Sequence, residues 1–474
     1  MKPFRLAIPA AVAALAAGCT SYDPQPLGEL RLDAYAPPTG DAEAPASAPD
    51  SALPKISGEI RLLDAVNLAL KQNLALRAAF LMREEATGAI MEAKAAAYPH
   101  AGLTGGVTSD LRERGDNPDT YGVTWSITQP LWRSGAVSAG IRYAELYSAS
   151  TDEAIRRQVQ ETVDVATRDF LGVLLAQQMV NVYTESAAVA ERMLETAQKK
   201  RNAGSASDYE VLRAEVEVAS TRAELIKERN ALRSKVIRLL QTMGVNQESD
   251  VTLVGSLAYM PEQFDLATLM QTALVNRPDL LQAEAALRMA DEKLRAVKGS
   301  YGPSADAFLN GKYQNPDPND PSLDEWSDDW SAGLQVTYTL FDGLERKGRL
   351  IQAKSVRRQA EANLRNAEEA ARVEIHQALL DLRNAEELYQ SQAKNIDLSR
   401  EALRMLENGH KVGKNTQIEV LDARSALTEA MGQYYNAIFS HLIARLAIRK
   451  AIGTLAVDAS EPVDPSIRLD SDPL

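Results

Sequence analysis

Side chains that could carry out chemistry are few in this sequence and are widely scattered. The only cysteine is Cys19, so the chain can form neither an intramolecular disulfide nor a thiolate-rich zinc or iron–sulfur site. The four histidines, His100, His376, His410 and His441, include no helically spaced pair that would bind a metal. No Gly-x-Ser-x-Gly elbow, phosphate-binding glycine loop or dinucleotide fingerprint occurs. The sequence therefore predicts a protein that is not an enzyme and has no catalytic residue, metal or cofactor.

The charge and aromatic content narrow the class further. The chain has 52 Lys and Arg against 65 Asp and Glu, a net charge of −13, whereas a nucleic-acid binder normally presents a basic face. Only 5% of the residues are aromatic, which is little for a compact core in a chain of 474 residues. We therefore expect no nucleic-acid partner and long, narrowly packed helices.

The N-terminus has the features of a secretory signal. Lys2 and Arg5 precede an apolar run of 11 residues that ends in small residues at 16–18 and is too short to span a bilayer. Ala16-Ala17-Gly18-Cys19 resembles a bacterial lipobox, which implies that Cys19 is lipidated and becomes the mature N-terminus. The usual apolar residue is displaced, because Leu15 lies one position early. The alternative is ordinary cleavage that leaves an unmodified cysteine.

Proline-rich segments flank the central part of the chain. Residues 19–57 alternate Pro with Ala, Ser and Asp, which favours an extended, lipid-anchored tether after a signal peptide at 1–18. Residues 456–474 are acidic and proline-containing, and we expect a flexible tail there. No run of 18 apolar residues occurs, so a membrane crossing would have to use strands.

An internal repeat organises the rest of the sequence. Short blocks recur at a shift of 204 residues near the start of each half and of 209 residues later, with one change between Pro99 and Leu131. The blocks predict two structural repeats, 58–257 and 258–455. The matching pairs include Ala69–Asn73 with Ala273–Arg277, Gly204 with Gly413, Glu210–Ala214 with Glu419–Ala423, and Gly244 with Gly453.

Each repeat is predicted to form a helix, two strands and two very long helices. Apolar residues recur at helical spacing in the proline-free stretches, and the stretch 134–203 could extend roughly 100 Å as one helix. This length fits a coiled-coil rod and is too great for a globular domain. The apolar positions that show the period are Ile155, Val159, Val163, Phe170 and Leu174 in the first repeat, and Ile375, Leu379, Leu382 and Tyr389 in the second.

The strands show a period of two. Apolar residues alternate with small or polar residues over Tyr121–Thr128 and Trp330–Leu340, with weaker partner strands near Leu103–Asp110 and Ala305–Gln314. This pattern is typical of a β-barrel wall with lipid on one side and water on the other, and a soluble hairpin packed on helices is the alternative. Four strands cannot close a barrel, so several chains would have to contribute.

These blocks together resemble the outer membrane efflux protein family over about 60–455. The resemblance rests on the duplicated Gly–x5–Glu-Val-Leu–x–Ala blocks, the strand-to-helix junctions at Leu131-Trp132 and Leu340–Gly343, and the segment Leu446–Gly453. It implies a mainly α fold with a small β part: a homotrimer with a helical tunnel in the periplasm and a 12-stranded barrel in the outer membrane. With a lipid on Cys19, the chain is similar to the lipoprotein members of multidrug efflux systems.

The resemblance also implies an entrance gate at the periplasmic tips. There the two long helices of each repeat turn at the tip glycines, Gly204 and Gly413, and carboxylates one turn later narrow the entrance and bind cations. By position, the gate residues are Glu419, Asp422, Glu210, His410 and Asn415. Crowding of Glu419 and Asp422 around a threefold axis is expected to raise some of their pKa values.

The function that the resemblance implies is a passive outer-membrane exit duct. Its partners would be a periplasmic adaptor (membrane fusion) protein and an inner-membrane RND or ABC pump, in a tripartite efflux or type I secretion system. The alternative is a lipid-anchored periplasmic coiled-coil scaffold or adaptor without a pore.

Overall fold

The computed structural model describes residues 53–108, 120–317 and 325–455. Within these ranges the chain forms eight helices and six strands. The helices are α1 (Leu62–Gln72), α2 (Leu74–Ala95), α3 (Ala136–Asn202), α4 (Asp208–Thr242), α5 (Leu266–Asn276), α6 (Pro278–Gly299), α7 (Glu345–Lys411) and α8 (Gln417–Ala451). The strands are β1 (Ser57–Ile60), β2 (His100–Thr108), β3 (Thr120–Trp132), β4 (Asp250–Leu253), β5 (Ser304–Asn315) and β6 (Ser327–Thr337).

Helix lengths match in pairs. α1 and α5 have 11 residues each, α2 and α6 have 22, α3 and α7 have 67, and α4 and α8 have 35. The prediction of two very long helices after each pair of strands is confirmed, and at ~1.5 Å per residue α3 and α7 each extend roughly 100 Å. The five apolar positions from Ile155 to Leu174 that showed the helical period are all buried.

The prediction of a single leading helix is wrong, because each long-helix pair is preceded by two short helices. Asn73 leaves the helical conformation, and its side-chain oxygen accepts hydrogen bonds from the amides of Ala75 (2.8 Å) and Leu76 (3.1 Å), which starts α2. In the second set, Arg277 is extended because it precedes Pro278, the first residue of α6. The two helix breaks therefore have different local causes at matching positions.

Four strands form an antiparallel sheet in the order β2-β3-β5-β6. The register opposes Leu103 to Trp125, Trp125 to Gly311, and Gly311 to Trp330, which puts these residues on one face of the sheet. Trp125 lies across Gly311, where a Cβ would meet the indole at 2.2 Å, and reaches Trp330 with ring centroids 4.3 Å apart. Its neighbour Thr124 belongs to the opposite face.

The two faces of this sheet differ in chemistry. Most residues on the Trp125 face are apolar, aromatic or glycine, and the polar exceptions Gln129, Asn315 and Asp328 lie near the ends of the strands. Nearly every residue on the other face is polar or glycine. The apolar face is largely exposed in the single chain. Its exposed large side chains are Leu103, Val107, Tyr121, Val123, Tyr313, Trp330, Leu334 and Val336.

Two features of the strands differ from expectation. β6 ends at Thr337 rather than Leu340, because its partner Ser304 is the first residue of β5 and residues beyond Thr337 have no strand to pair with. The short parallel pair β1–β4 was not predicted. It begins at Ser57, and the carbonyl of Pro54 accepts from the amide of Asn246 (3.1 Å), so the end of the expected tether packs on the helical body.

The eight helices pack into one body next to the four-stranded sheet. α4 packs on α3, α3 on α8, and α8 on α7, while α2 and α6 pack on α3 nearer the sheet. The largest core cluster joins α1, α2, α3, α4 and α8, and a smaller one joins α5, α7 and α8. No helix among the described residues combines the length and apolarity needed to cross a bilayer.

Candidate functional site

The far ends of the long helices turn at the two predicted tip glycines. α3 and α7 each end just before a glycine in the left-handed conformation, Gly204 (φ +72°) and Gly413 (φ +76°). In each turn the amide after the glycine reaches back to a carbonyl of the last helical turn, from Ser205 to Lys200 (2.9 Å) and from Lys414 to Gly409 (2.8 Å). Glycine suits this position because a Cβ is strained at positive φ.

Both returning helices are capped by hydroxyl side chains. The Ser207 hydroxyl accepts from the amide of Glu210 (3.3 Å), and the Thr416 hydroxyl accepts from the amide of Glu419 (3.3 Å). The Glu419 carboxylate in turn accepts from the Thr416 amide at 2.8 Å, which completes a capping box. Glu419 therefore has a structural role at the start of α8 whatever its role in an assembly.

The carboxylates respond to this local setting. The Thr416 amide, followed by the Asn415 side-chain amide at 3.2 Å, holds the pKa of Glu419 below its usual value. In the single chain, hydrogen bonding thus acts on the pKa of Glu419 in the opposite direction to the crowding expected around a threefold axis. Asp422 is exposed and lies three residues further along α8, on the same side of the helix as Glu419.

A chain of hydrogen bonds joins the two tips. His410 Nδ1 lies 3.0 Å from the backbone carbonyl oxygen of Asn415. Because a carbonyl oxygen can only accept a hydrogen bond, this contact places the ring proton on Nδ1. The other nitrogen, Nε2, is then the acceptor for the Lys200 ammonium at 3.2 Å. The Asn415 side chain lies over Gly409, where a Cβ would meet its Oδ1 at 1.8 Å, so this packing requires glycine.

A cavity of about 370 Å³ lies between the two turns. Of the residues predicted for the entrance, Glu210, His410 and Asn415 line it, together with the tip glycine Gly413. Glu419 contacts it through Asn415, and Cys19 lies outside the described residues. The remaining lining residues are Lys200, Ser205, Ser207, Tyr209, Arg213, Thr416, Gln417 and Ile418.

Lys200 and Arg213 are site residues that the sequence did not indicate. Both lie in the first repeat, whereas the histidine that Lys200 contacts lies 210 residues away in the second. The one available signal is the shift of 209, which puts the end of α3 at the same place in its repeat as the end of α7. Matching turns are expected to lie at the same height in a row of parallel hairpins, but the repeat does not say which side chains meet.

Comparison with known proteins identifies related chains along most of the length. The profile of the family described as outer membrane efflux protein matches residues 65–245 and 269–454. Protein CyaE of Bordetella pertussis is 25% identical over 412 residues, covering 85% of this chain and 87% of CyaE. The probable outer membrane lipoprotein SilC of Salmonella typhimurium is 22% identical over 392 residues, covering 81% and 84%.

The fold has close counterparts among solved structures. A crystal structure of CusC, from work on its folding and transmembrane channel formation, superposes with a TM-score of 0.72 at 19% identity, covering 83% of this chain and 92% of CusC. VceC of Vibrio cholerae, an outer membrane protein, gives a TM-score of 0.70 at 17% identity, covering 83% and 96%. At these identities the superpositions establish the shared fold.

Proposed function

The chain belongs to the outer membrane efflux protein family, and we propose that it is a passive exit duct whose energy and specificity come from an inner-membrane pump. Members of this family are outer-membrane channels of tripartite efflux and type I secretion systems and are not enzymes. They work as trimers with periplasmic adaptors and inner-membrane pumps. For this chain we propose the same kinds of partner, with a pump of the RND or ABC class.

The observation that carries the proposal is the four-stranded sheet with one exposed apolar face and two open edges. β2 and β6 each pair with a strand on one side, and neither pairs with another described strand on the other. An open edge is not tolerated in hydrocarbon, because unpaired amides and carbonyls have no water to bind. Three copies of this sheet, joined β6 to β2, would close a 12-stranded barrel.

Aromatic side chains mark both ends of the sheet. The end of the sheet farther from the helices carries Tyr121, Tyr313 and Trp326, and the rings of Tyr313 and Trp326 stack with centroids 4.9 Å apart. The end next to the helices carries Trp132. From Tyr121 to Trp132 a strand at ~3.3 Å per residue, tilted by roughly 40°, rises about 28 Å. This height suits the apolar band of an outer membrane, about 25 Å, with aromatic girdles at both interfaces.

The helical body is open at the same two sides. α4 and α7 end the row α4–α3–α8–α7, and each carries exposed apolar residues at coiled-coil spacing on its free side. In a trimer, α7 of one chain would pack on α4 of the next and close a tunnel. The residues are Leu212, Val216 and Ile226 on α4, and Leu398 and Met405 on α7 with Val412 directly after its last residue.

We assign the tips to the entrance of this tunnel. Glu419 and Asp422 from three chains would bring six carboxylates to one axis, with Glu210 the equivalent in the first repeat. The contact of His410 with Lys200 and Asn415 would hold the two hairpins of a chain together. We also propose that a lipid on Cys19 anchors the chain and that residues 58–257 and 258–455 are its two structural repeats.

Single-channel conductance tests the duct directly. The purified protein is expected to give stepwise current in planar bilayers, whereas a coiled-coil scaffold or adaptor gives none. A Cys19→Ser variant separates the two membrane attachments, since a channel that depends on the barrel keeps its conductance without the lipid.

Paired substitutions test which face of the sheet contacts lipid. Trp125→Asp and Val336→Asp put a charge on the apolar face, which is expected to lower the yield in the outer membrane. The expected cost is a few kcal/mol for Trp125, near the middle of the strands, and less for Val336, which is level with Trp132 at the helical end. Thr124→Asp and Thr337→Asp are the matched controls on the polar face, and normal yields are expected for them. Equal yields for both pairs would contradict the assignment.

A further inference from the structure

The four places where strands meet helices are tied into one collar around the helical end of the sheet. The Gln129 side-chain amide at the end of β3 donates to the carbonyl of Ala97, just after α2 (2.9 Å). Arg133, which follows β3, forms a bidentate ion pair with Asp306 of β5, with nitrogen to oxygen distances of 2.6 and 2.8 Å. These contacts fix the α2–β2 and β3–α3 junctions against β5.

The remaining two junctions join the same collar. The Ser134 hydroxyl donates to the carbonyl of Pro303, which precedes β5 (2.7 Å). The Arg346 guanidinium, in the first turn of α7, lies 5.1 Å from the centre of the Tyr301 ring. Since neighbouring junctions are bonded in sequence, residues one turn into each helix are held at a similar distance from the sheet.

The collar exposes a band of apolar side chains, and three of the four helices that meet the sheet carry a lysine near this band. Each junction supplies exposed aromatic or aliphatic side chains: Tyr98, Trp132, Tyr301 and Phe341 with Leu344. Lys94 lies four residues before Tyr98, Lys298 three before Tyr301, and Lys347 three after Leu344. Each lysine is therefore about one helical turn, ~5.4 Å along the axis, from an exposed apolar residue and on the side away from the sheet.

These lysines carry uncompensated charge. All three are exposed, and none forms an ion pair within the part of the chain that the structure describes. The carboxylates of the collar are already bound by arginines, Asp306 by Arg133, Asp342 by Arg346, and Glu345 by Arg349. Glu92 is close to Lys94 in sequence, but residues two apart on a helix do not face each other.

The collar thus has a positive rim in a chain whose net charge is −13. We propose that the collar binds anionic phospholipid headgroups, with the band of apolar side chains among the acyl chains near the interface and Lys94, Lys298 and Lys347 on the phosphates. The inference rests on the proposed membrane position of the sheet. The lysines lie about one helical turn beyond the apolar residues of the collar. This position corresponds to the headgroup layer, which extends several ångströms beyond the hydrocarbon. A trimer would present nine such lysines.

The test measures which lipids the protein retains. The full-length protein is reconstituted into nanodiscs of phosphatidylcholine with a minor share of phosphatidylglycerol, re-extracted in mild detergent, and its bound lipid is analysed by mass spectrometry. We expect phosphatidylglycerol to be enriched about fivefold over its share in the disc, as expected for a lysine at a charged surface, and the enrichment to fall at high salt.

A triple variant, Lys94→Gln with Lys298→Gln and Lys347→Gln, is expected to lose this enrichment and keep its conductance. The matched control, Lys71→Gln with Lys235→Gln and Lys394→Gln, removes the same charge from exposed lysines elsewhere on the helices and should retain it. The collar proposal is overturned if the unmodified protein conducts but shows no enrichment of phosphatidylglycerol. It is also overturned if both triple variants show equal enrichment. Protein that gives no current in any bilayer overturns the proposed function instead.

Discussion

The same positions of α4 and α8 carry opposite chemistry. With the shift of 209 residues, Leu232, Val236 and Leu240 of α4 correspond to His441, Arg445 and Arg449 of α8. The three residues of α4 pack into the largest apolar core cluster. His441 and Arg445 are 0% and 2% exposed, and so lie deeper than their counterparts Leu232 and Val236, which are only partly buried against the cluster. The helices α4 and α8 have equal lengths and equivalent places in the two repeats, but they use different interactions at the same three positions.

The cause of the difference is the segment that joins the two repeats, residues 254–265, which we call the linker. It crosses α8 and brings Glu262 to Arg445, with oxygen to nitrogen distances of 2.6 and 3.0 Å, and to Arg449 at 3.5 Å. Tyr259 of the linker stacks on Tyr389 of α7 with ring centroids 3.8 Å apart, and its ring lies 4.6 Å from that of His441. A duplicated helix can thus keep its length while the surface beside it sets its chemistry.

The largest effect is expected from Glu262→Ala. It removes the carboxylate that binds the buried Arg445. Loss of one partner of a fully buried ion pair costs about 3–5 kcal/mol, and because the Glu262 side chain is 32% exposed we expect the lower end of this range, about 3 kcal/mol. The measurement is the thermal unfolding of the purified protein, followed by circular dichroism. Glu401→Ala is the control, because its partner Arg404 is exposed and such pairs contribute less than about 1 kcal/mol. Similar shifts for both variants would contradict a special role of the linker ion pair.

A second, smaller effect compares glycines at the two ends of α8. Gly453→Ala would put a Cβ at 2.5 Å from the Asn276 carbonyl oxygen, at a φ of +74°. Strain and overlap together are expected to cost about 2–4 kcal/mol. Gly413→Ala has the same kind of φ but open space, so about 1–2 kcal/mol is expected.

The first repeat provides an independent copy of this test. Gly244 lies against Gln72, so that a Cβ at position 244 would be 2.9 Å from the Gln72 Cβ, whereas Gly204 has open space. If Gly244→Ala is no worse than Gly204→Ala in the same unfolding measurement, the close approach does not set the cost in either repeat.

The third prediction concerns acid stability. Burial, and then the charge of Arg445, lower the pKa of His441 to about 4. Below pH ~6.5 the unfolded chain takes up a proton that the folded chain does not, so stability falls as the pH drops from about 6.5 towards 4, by about 2 kcal/mol per chain at pH 5. His441→Leu, which copies Leu232 of the first repeat, is expected to flatten this part of the unfolding-midpoint profile. An unchanged acid slope would assign it to other groups.

The smallest effect on stability is expected at the tips. Lys200→Met removes one exposed hydrogen bond to His410 and should cost at most about 1 kcal/mol. In planar bilayers, however, the same change is expected to raise the open probability of the channel, because it releases the first hairpin from the second. Lys199→Met is the neighbouring control, since among the described residues the Lys199 ammonium pairs only with Glu195 of its own helix. Identical gating in the two variants would argue against the contact as part of the entrance.

Much of the architecture was determined by the sequence alone, because the signals are local. Gly204 and Gly413 could be assigned to helix ends from the repeated blocks, since the left-handed backbone after a helix favours glycine. The alternation around Trp125 and Val336 predicted two chemically different faces, and the register places both residues on the apolar one. Local signals also failed where pairing decides the outcome, as at the end of β6, which depends on where β5 begins.

Only the tertiary structure decided which distant side chains meet. The contact of Lys200 with His410, the ion pairs of Glu262 with Arg445, and the assembly of three lysines at one collar join residues far apart in sequence. Periodicity gives the face of a helix but not the rotation and height at which two helices pack, so a polar residue has the same sequence signature on a solvated surface as in a buried pair. The repeat identified equivalent positions, and packing against the linker and the neighbouring hairpin then gave those positions different partners.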